Sequence, residues 1–418
     1  MAPSLPAVTD GSKTWSPSYL FFGDNDGDTT PEIWDKIHTH LKANEFREAL
    51  ATAFELSPGD NFTYHANASV NLGQAEAAIR AGRTNGLHGW YVEVTASAID
   101  LNNKDVDHNG NEDDSASRMI PGQPSLRISG YPPTADIQAY ISLFDPTKSA
   151  ANSLKSLLAN AKKGSLRATV AEYLLSKRYL DPSISVPKFK IPPAGAAQDG
   201  HSHSKTTQHE NPSLDFWAYS CMALEYAGPN AKTALVKTSH HVLPVYMHHF
   251  GCVCPSWESL QIIAKLASGG GSVLDMGSGN GYWTLMLRRL GLSVVAVDSG
   301  QSRWRTVWIP DTVVTDGVTY LRKRAGCPDS LLLLVYPIAG AGGGGEFTRK
   351  VLDAYTGDVV CMAGTQNGNG YTGFKDMMVD EYMRREKPAW EKVAQVPLPS
   401  FAGKDDALFA FRRKKEGT

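Results

Sequence analysis

Hydrophobic and polar positions divide this chain into a helical first part and a second part in which short apolar runs alternate with helical spacing. In the first part, apolar residues recur every three or four positions, which is typical of amphipathic helices. These helices are predicted from Thr30 and at 45–56, 74–81, 135–143, 150–162 and 166–179, with a strand at 89–95. In the second part, apolar runs predict buried strands. These strands are predicted at 273–275, 294–297, 312–316, 331–335, 358–364, 392–398 and 407–411.

The change in the spacing of apolar residues along the chain predicts a mainly helical N-terminal domain over residues 1–182 and an α/β domain over 212–418. Residues 183–211 are rich in Pro, Gly, Ser and other polar residues, as in a linker or a long exposed loop. We expect the N-terminal domain to recognise an acceptor or a partner. Before the first α/β strand, helices are predicted at 214–226, at 231–245 and from Ser256.

Composition limits the function without identifying it. The 418 residues are enough for two or three domains, and the net charge of -2 carries no global basic field, which argues against a duplex nucleic-acid binder. The five cysteines are an odd number spread along the chain and favour a reducing compartment. With no signal-peptide pattern and no apolar run long enough to span a membrane, a cytoplasmic protein without membrane contact is expected.

The central stretch is Ser272–Asp298, SVLDMGSGNGYWTLMLRRLGLSVVAVD. An apolar run ends in Asp275, glycines follow at 277, 279 and 281, a helical segment comes next, and a second apolar run ends in Asp298. Strand, glycine turn, helix and strand open a doubly wound sheet, and an acid at the second strand tip is suited to a ribose. Tyr282 replaces the third glycine of the dinucleotide pattern, and Asp275 would attract an ammonium group. A ribose and an α-amino group together indicate S-adenosylmethionine.

This pattern resembles the first motif of class I S-adenosylmethionine-dependent methyltransferases, and the resemblance covers residues 245–413. It implies a doubly wound, Rossmann-like sheet of seven strands with its last strand reversed. It also implies a position for the adenine at Asp316 and a reaction site near Tyr336, after the fourth strand. The residues that it assigns to the cofactor are Asp275, Gly277, Ser278, Gly279, Asn280, Gly281, Asp298, Ser299, Asp316 and Gly317.

One subgroup of uncharacterised methyltransferase-like proteins carries Trp-Pro-Pro after strand four and Gly-Lys-Asp before the last strand. Here Gly403-Lys-Asp is present, but Tyr336-Pro-Ile replaces Trp-Pro-Pro. Amino-directed methyltransferases use an Asn- or Asp-Pro-Pro-aromatic motif, whose polar side chain is missing. The acceptor is therefore expected to be a small molecule or a protein rather than a nucleic acid.

Methyl transfer requires mainly the alignment of donor and acceptor, with a base only where the acceptor must lose a proton. The predicted catalytic residues are Tyr336, at the transfer point, and His248 or His249 as general base. A catalytically inactive cofactor-binding domain that serves as a partner subunit or scaffold is the alternative. Aminopropyl transfer is a third hypothesis, disfavoured if Asp275 binds an α-amino acid end.

Three groups of residues raise the question of a metal. The stretch 105–110 resembles the start of an EF-hand loop, but Ala116 occupies the position of the required bidentate acid. Histidines 201, 203 and 209 lie in a polar tract without cysteine partners. Cys252-x-Cys254 and the histidines before it lack the spacing of common zinc sites, which favours packed thiols and core histidines. No metal is predicted.

Overall fold

The computed structural model describes residues 30–66, 68–95, 125–128, 130–188, 211–236, 240–268, 271–300, 304–337, 345–367, 374 and 377–414. The EF-hand-like stretch at 105–110 and the three histidines at 201–209 lie outside the described residues. No helix in the described ranges has the length and apolar character needed to cross a membrane.

The described residues before 189 form six α-helices, two short 3-10 helices and five short strands. The helices are α1 (Thr30–Lys42), α2 (Phe46–Phe54), α3 (Leu72–Ala81), α4 (Thr134–Ile141), α5 (Ala150–Ala159) and α6 (Leu166–Lys177). The strands are β1 (Tyr64–His65), β2 (Ser69–Val70), β3 (Val92–Thr95), β4 (Ser125–Ile128) and β5 (Tyr179–Leu180). Strands β1 and β2 pair antiparallel, as do β3 and β4.

The described residues from 211 onward alternate helices with longer strands. The helices are α7 (Pro212–Ala223), α8 (Val242–Phe250), α9 (Trp257–Ala267), α10 (Tyr282–Arg289), α11 (Gly317–Arg322), α12 (Glu346–Ala354) and α13 (Val379–Glu386). The strands are β6 (Ser272–Met276), β7 (Val294–Asp298), β8 (Val313–Val314), β9 (Ser330–Val335), β10 (Val359–Thr365), β11 (Trp390–Pro397) and β12 (Asp406–Arg413).

Side-chain caps fix where several helices begin. Asn71 and Gln74 form a reciprocal capping box at the start of α3, and Ser256 and Ser259 do the same at α9. Ser165 caps α6 by accepting a hydrogen bond from the backbone N–H of Ala168. These caps satisfy N–H groups that have no acceptor within their own helix.

One eight-stranded sheet organises the second half, in the order β8-β7-β6-β9-β10-β12-β11-β5. Strands β8, β7, β6, β9 and β10 are parallel neighbours, whereas β12 runs antiparallel to both β10 and β11. The reversed last strand is therefore confirmed. The predicted count of seven omitted β5, which pairs with β11 from the N-terminal half.

Both faces of this sheet are covered. Along β9, Leu331 and Leu333 join one hydrophobic cluster with residues of α1, α8, α9 and α10, whereas Leu332 and Leu334 join a second cluster with α11, α12 and α13. This alternation is the period of two that a strand imposes, and it explains why the strand reads as a continuous apolar run. Helices thus pack on both faces of the sheet, which is a mixed α/β architecture.

The first of these clusters also contains the core of the N-terminal half. It extends from Trp34 in α1 to Ala410 in β12. Trp217 of α7 packs edge-on against Tyr140 of α4, with ring centroids 5.5 Å apart. The predicted domain division at 183–211 therefore does not coincide with a gap in the hydrophobic core.

Two predicted helices differ from the observed ones. The prediction placed a helix at 231–245 that ended near Pro244, but α8 spans Val242–Phe250 and holds Pro244 in its first turn. Proline is tolerated there because its missing N–H would have no acceptor within the helix. The helix predicted to reach Tyr179 ends at Lys177, and Tyr179 pairs with β11 instead.

Candidate functional site

The glycine loop, residues 277–281, connects the carboxyl end of β6 to α10. Gly277, Gly279 and Gly281 have φ angles of +76°, +57° and +80°, which residues with a Cβ adopt only at a cost. The N–H groups of Gly277 and Ser278 donate to the carbonyl oxygen of Val297 at 2.7 and 3.1 Å. The loop is thereby held against the tip of β7.

Asp275 lies beneath this loop and is fully buried. Its Oδ2 accepts a hydrogen bond from Thr284 Oγ1 at 2.6 Å, and its Oδ1 has no hydrogen-bond partner among the described residues. Burial raises the pKa of Asp275 to about 7, an effect that the Thr284 hydroxyl opposes and the Asp298 charge reinforces. As it lies, the carboxyl group does not reach the surface, so a ligand ammonium would contact it only after the loop moved.

Asp298, at the tip of β7, holds two loops together. Its Oδ2 accepts from the N–H of Gly279 at 3.0 Å and its Oδ1 from the N–H of Gly300 at 2.7 Å. Each carboxylate oxygen can accept a second hydrogen bond, and the side chain is partly exposed. Ser299 follows and is exposed.

Asp316, at the tip of β8, caps α11. Its Oδ1 accepts from the N–H of Thr319 at 2.8 Å, and this backbone donor holds the pKa of Asp316 below its ordinary value. The side chain is exposed, which leaves its second oxygen open to solvent. Gly317 is buried, and a Cβ there would meet the sulfur of Met276, so its glycine is needed for packing.

Residues 304–309, which follow β7, lie on the glycine loop and were not predicted as part of the site. A Cβ on Gly279 would lie 2.9 Å from the ring of Trp304, and a Cβ on Gly281 would lie 2.7 Å from Ile309 Cδ1. The N–H of Trp308 donates to the carbonyl oxygen of Asn280 at 2.8 Å. The sequence signal for this segment is a pair of tryptophans, Trp304 and Trp308, that follow the acid at the tip of β7.

A Cβ on Gly277, by contrast, would meet no atom of the described residues within 4 Å. Of the three loop glycines, Gly277 is the one whose Cβ position is clear of every described residue. A ligand could therefore approach the loop backbone at this position.

Tyr336 directly follows β9, at the same edge of the sheet. Its φ of +52° is strained for a residue with a side chain, and its N–H donates to the carbonyl oxygen of Ala363 at 2.7 Å. Lys404 Nζ lies 4.4 Å from the centroid of the Tyr336 ring and donates to the carbonyl oxygen of Cys252 at 2.8 Å. Lys404 is only 4% exposed, so a buried cation borders the predicted transfer point.

Two buried acids follow Lys404. Asp405 accepts from Tyr173 Oη at 2.6 Å and from Gln366 Nε2 at 3.0 Å, and burial raises its pKa. Burial raises the pKa of Asp406 to about 7, although the charge of Lys404 opposes this. In the sequence, Gly403-Lys-Asp supports only the resemblance and predicts no role for these side chains.

The raised pKa of Asp406 predicts a pH-dependent stability. With a pKa of about 7 in the folded chain and about 3.9 in the unfolded chain, this carboxyl is protonated only in the folded state between those values. Its stabilising contribution is complete below about pH 4 and is lost as the pH rises to about 7. When the pH rises from 5 to 8, we expect the free energy of unfolding of Asp406→Asn to fall by about 1–3 kcal/mol less than that of wild type. Urea unfolding at the two pH values measures both decreases.

The control for this experiment is Asp329→Asn, at an exposed position before β9. It should follow the wild-type pH dependence, because the Asp329 side chain lies at the surface, away from Asp406 and Lys404. If the stability of Asp406→Asn also followed the wild-type pH dependence, the pKa of Asp406 would not be raised in the folded protein.

His248 and His249 lie in the last turn of α8. His249 is fully buried; its Nδ1 lies 2.7 Å from Thr306 Oγ1, its Nε2 lies 2.9 Å from Tyr64 Oη, and its ring stacks on Phe54. Burial, with the nearby Arg305 charge, lowers the pKa of His249 well below its ordinary value. His248 Nε2 lies 2.9 Å from the carbonyl oxygen of His65. Both rings contact residues of the N-terminal half, and a general-base role remains a prediction for both.

The cysteines near α8 are protonated at neutral pH. Burial raises the pKa of Cys252 to about 11 and that of Cys254 to about 12. All five cysteines of the chain are free thiols. Within the described ranges, no cluster of three or more His, Cys, Asp or Glu side chains has the arrangement of a metal site.

The carboxyl edge of the parallel strands thus brings together the glycine loop, Asp298 and, one strand further, Asp316. It also carries Tyr336, at the tip of β9 on the other side of β6. The structure adds three features that local sequence patterns did not predict: the 304–309 segment, the buried Lys404, and contacts from the N-terminal half.

No protein-family model and no curated protein matches the chain. Among solved structures, one from work on the conversion of a disulfide bond into a thioacetal group during echinomycin biosynthesis has 15% identity and a TM-score of 0.26. The match covers 40% of this chain and 89% of that one.

Two further solved structures are similarly distant. The 1,6-didemethyltoxoflavin-N1-methyltransferase of Burkholderia thailandensis, with bound 1,6-didemethyltoxoflavin and S-adenosylhomocysteine, has 16% identity and a TM-score of 0.25, over 35% of this chain and 72% of that one. LepI in complex with SAM has 11% identity and a TM-score of 0.24, over 67% of this chain and 86% of that one. Values this low carry no conclusion about the ligand or the reaction of this protein.

Proposed function

We propose that this protein is an S-adenosylmethionine-dependent methyltransferase of the class I type. The observation that carries the proposal is the 3.0 Å hydrogen bond from the N–H of Gly279 to Asp298 Oδ2. It joins a glycine loop at the end of one parallel strand to an acid at the tip of the next, in the arrangement that suits a nucleoside. The resemblance of the motifs supports the choice of S-adenosylmethionine.

The described residues fit such a ligand. Gly277 borders open space where a ligand could approach the backbone, and the partly exposed Asp298 retains acceptor capacity for ribose hydroxyls. Asp316, at the next strand tip, keeps one exposed oxygen that could accept from the adenine amino group. Asp275 supports the site through its Thr284 hydrogen bond, and its unpartnered Oδ1 would meet the amino-acid end only if the loop moved.

S-adenosylmethionine supplies an activated methyl group, whose bond to sulfur breaks as the acceptor's lone pair bonds to the methyl carbon. The chain's own task is to align the acceptor and to exclude water. We assign the alignment to Tyr336, whose strained backbone is held by Ala363 and whose ring is covered by Lys404. The acceptor is proposed to be a small molecule or a protein, because the polar residue of the amino-directed motif is absent.

Calorimetry of the full chain with S-adenosylmethionine and S-adenosylhomocysteine tests this proposal. We expect both to bind, with a dissociation constant in the micromolar range, about 1–100 μM. Incubation with a methyl-labelled donor and a cell extract, followed by mass spectrometry, should then reveal a labelled product. Absence of binding would reject the proposal, whereas binding without any labelled product would favour the partner-subunit or scaffold alternative.

A further inference from the structure

Contacts connect the N-terminal half to residues 304–309, the segment that lies on the glycine loop. Arg305, next to Trp304, is fully buried and forms an ion pair with Asp60 of the N-terminal half. Arg305 Nη1 donates to Asp60 Oδ1 at 3.0 Å, and Nη2 donates to the second carboxylate oxygen. The guanidinium also lies 4.2 Å from the centroid of the Phe62 ring. A two-point ion pair with a ring beneath it fixes both the position and the orientation of Arg305.

A second set of contacts connects the same two regions. Tyr64 Oη lies 2.9 Å from His249 Nε2, and His249 Nδ1 lies 2.7 Å from Thr306 Oγ1. The carbonyl oxygen of His249 accepts hydrogen bonds from Asn280 Nδ2 at 3.0 Å and from Trp308 Nε1 at 2.6 Å. A continuous path of polar contacts therefore runs from β1 in the N-terminal half to the glycine loop.

The indole of Trp304, the residue before Arg305, lies against the glycine loop. Its Cζ2, Cε2 and Nε1 atoms lie 2.9–3.2 Å from where a Cβ on Gly279 would stand. The Nε1 N–H is buried and has no acceptor among the described residues. The Trp304 ring thus packs on the glycine loop at Gly279, two residues from Gly277, where the proposed cofactor would approach. Its N–H is a donor that the described part of the chain does not use.

We propose that Asp60 and Arg305 are positioning residues of the cofactor site, so that the N-terminal half completes a site whose motifs all lie in the second half. Neither residue contacts the ligand. They act by holding Trp304 and the rest of segment 304–309 on the glycine loop, where a shift of the ring would change the space left for the ligand. This inference rests on the proposed function, because it concerns affinity for the same cofactor.

The test compares Asp60→Asn with a matched control, Glu258→Gln. The Arg178–Glu258 pair is also buried and bidentate, with Arg178 Nη1 2.8 Å from Glu258 Oε2, and it also joins the two halves. It lies between the end of α6 and the start of α9, beside β11, and it has no contact with segment 304–309 among the described residues. Both variants remove one charge from a buried pair, so both are expected to lower the melting temperature.

S-adenosylhomocysteine binding should separate the two variants. We expect the dissociation constant to rise about 3- to 30-fold for Asp60→Asn and less than about 2-fold for Glu258→Gln. Asp60→Glu keeps the charge and should recover part of the affinity that Asp60→Asn loses. If Asp60→Glu and Asp60→Asn have the same melting temperature, a purely structural role would not produce that recovery. Equal affinity losses in Asp60→Asn and Glu258→Gln, or no loss in either, would overturn the inference.

Tyr64→Phe provides a second variant if Asp60→Asn does not fold. It keeps the ring and removes the hydroxyl, which contacts His249 and also interacts with Arg305. Weaker binding would support the inference, and unchanged binding would overturn it. Wild-type chain that binds no S-adenosylhomocysteine would instead reject the proposed function itself. One set of titrations therefore distinguishes a failure of this inference from a failure of the proposed function.

Discussion

Replacing Asp298 with alanine is expected to weaken binding of S-adenosylhomocysteine by about 10- to 100-fold. A hydrogen bond to a charged group contributes about 1.5–3 kcal/mol, and each 1.4 kcal/mol is a factor of ten in affinity. The variant removes the proposed acceptor for the ribose, and it also frees the N–H groups of Gly279 and Gly300 that Asp298 holds. The dissociation constant, measured by calorimetry, reports the combined effect.

Two further variants separate these contributions. Asp298→Asn keeps one acceptor oxygen and should bind with intermediate affinity. Asp329→Ala removes an exposed acid just before β9, at the opposite edge of the same sheet, and should bind like wild type. Unchanged affinity in Asp298→Ala would remove the ribose assignment.

Replacing Gly281 with alanine is expected to lower the free energy of unfolding by about 2–5 kcal/mol. A residue with a Cβ at a φ of +80° is strained by about 1–2 kcal/mol. The new methyl group would also lie 2.7 Å from Ile309 Cδ1 and closer still to Cγ1, and such overpacking costs about 1–3 kcal/mol more. Urea unfolding measures the sum.

Gly291→Ala is the matched control, because Gly291 has a φ of +83° but no atom of a described residue within 4 Å of its Cβ position. Only the strain should remain, so we expect a loss of about 1–2 kcal/mol. Equal losses in the two variants would show that Ile309 moves aside and that the glycine loop is not tightly covered.

Local patterns predicted the parts of the fold that depend on local physics. The apolar runs of β6, β7 and β9 reflect strands buried on both faces, and the glycines at 277, 279 and 281 mark positive φ angles. The reversed β12 was predicted from two strand patterns in succession and from the resemblance. Each of these signals lies within about ten residues of the element that it predicts.

Contacts between distant residues left no such signal. Asp60 and Arg305 are 245 positions apart, and nothing in the neighbouring sequence of either residue marks a partner. Tyr336 reads as the end of a strand, and the sequence around it marks neither its positive φ nor its contacts with Lys404 and Ala363. The pattern at 231–245 predicts a helix that ends near Pro244, but a helix accepts proline in its first turn, and α8 begins at Val242.

The two-residue strand β5 has a consequence for any attempt to produce the second half by itself. In the full chain, Tyr179 and Leu180 pair with Gln395 and Ala394 and cover part of the outer edge of β11. A fragment that starts at residue 212 would leave those backbone N–H and C=O groups unpaired, next to apolar side chains that the N-terminal helices normally bury. Open edges of this kind recruit other strands, so such a fragment should self-associate.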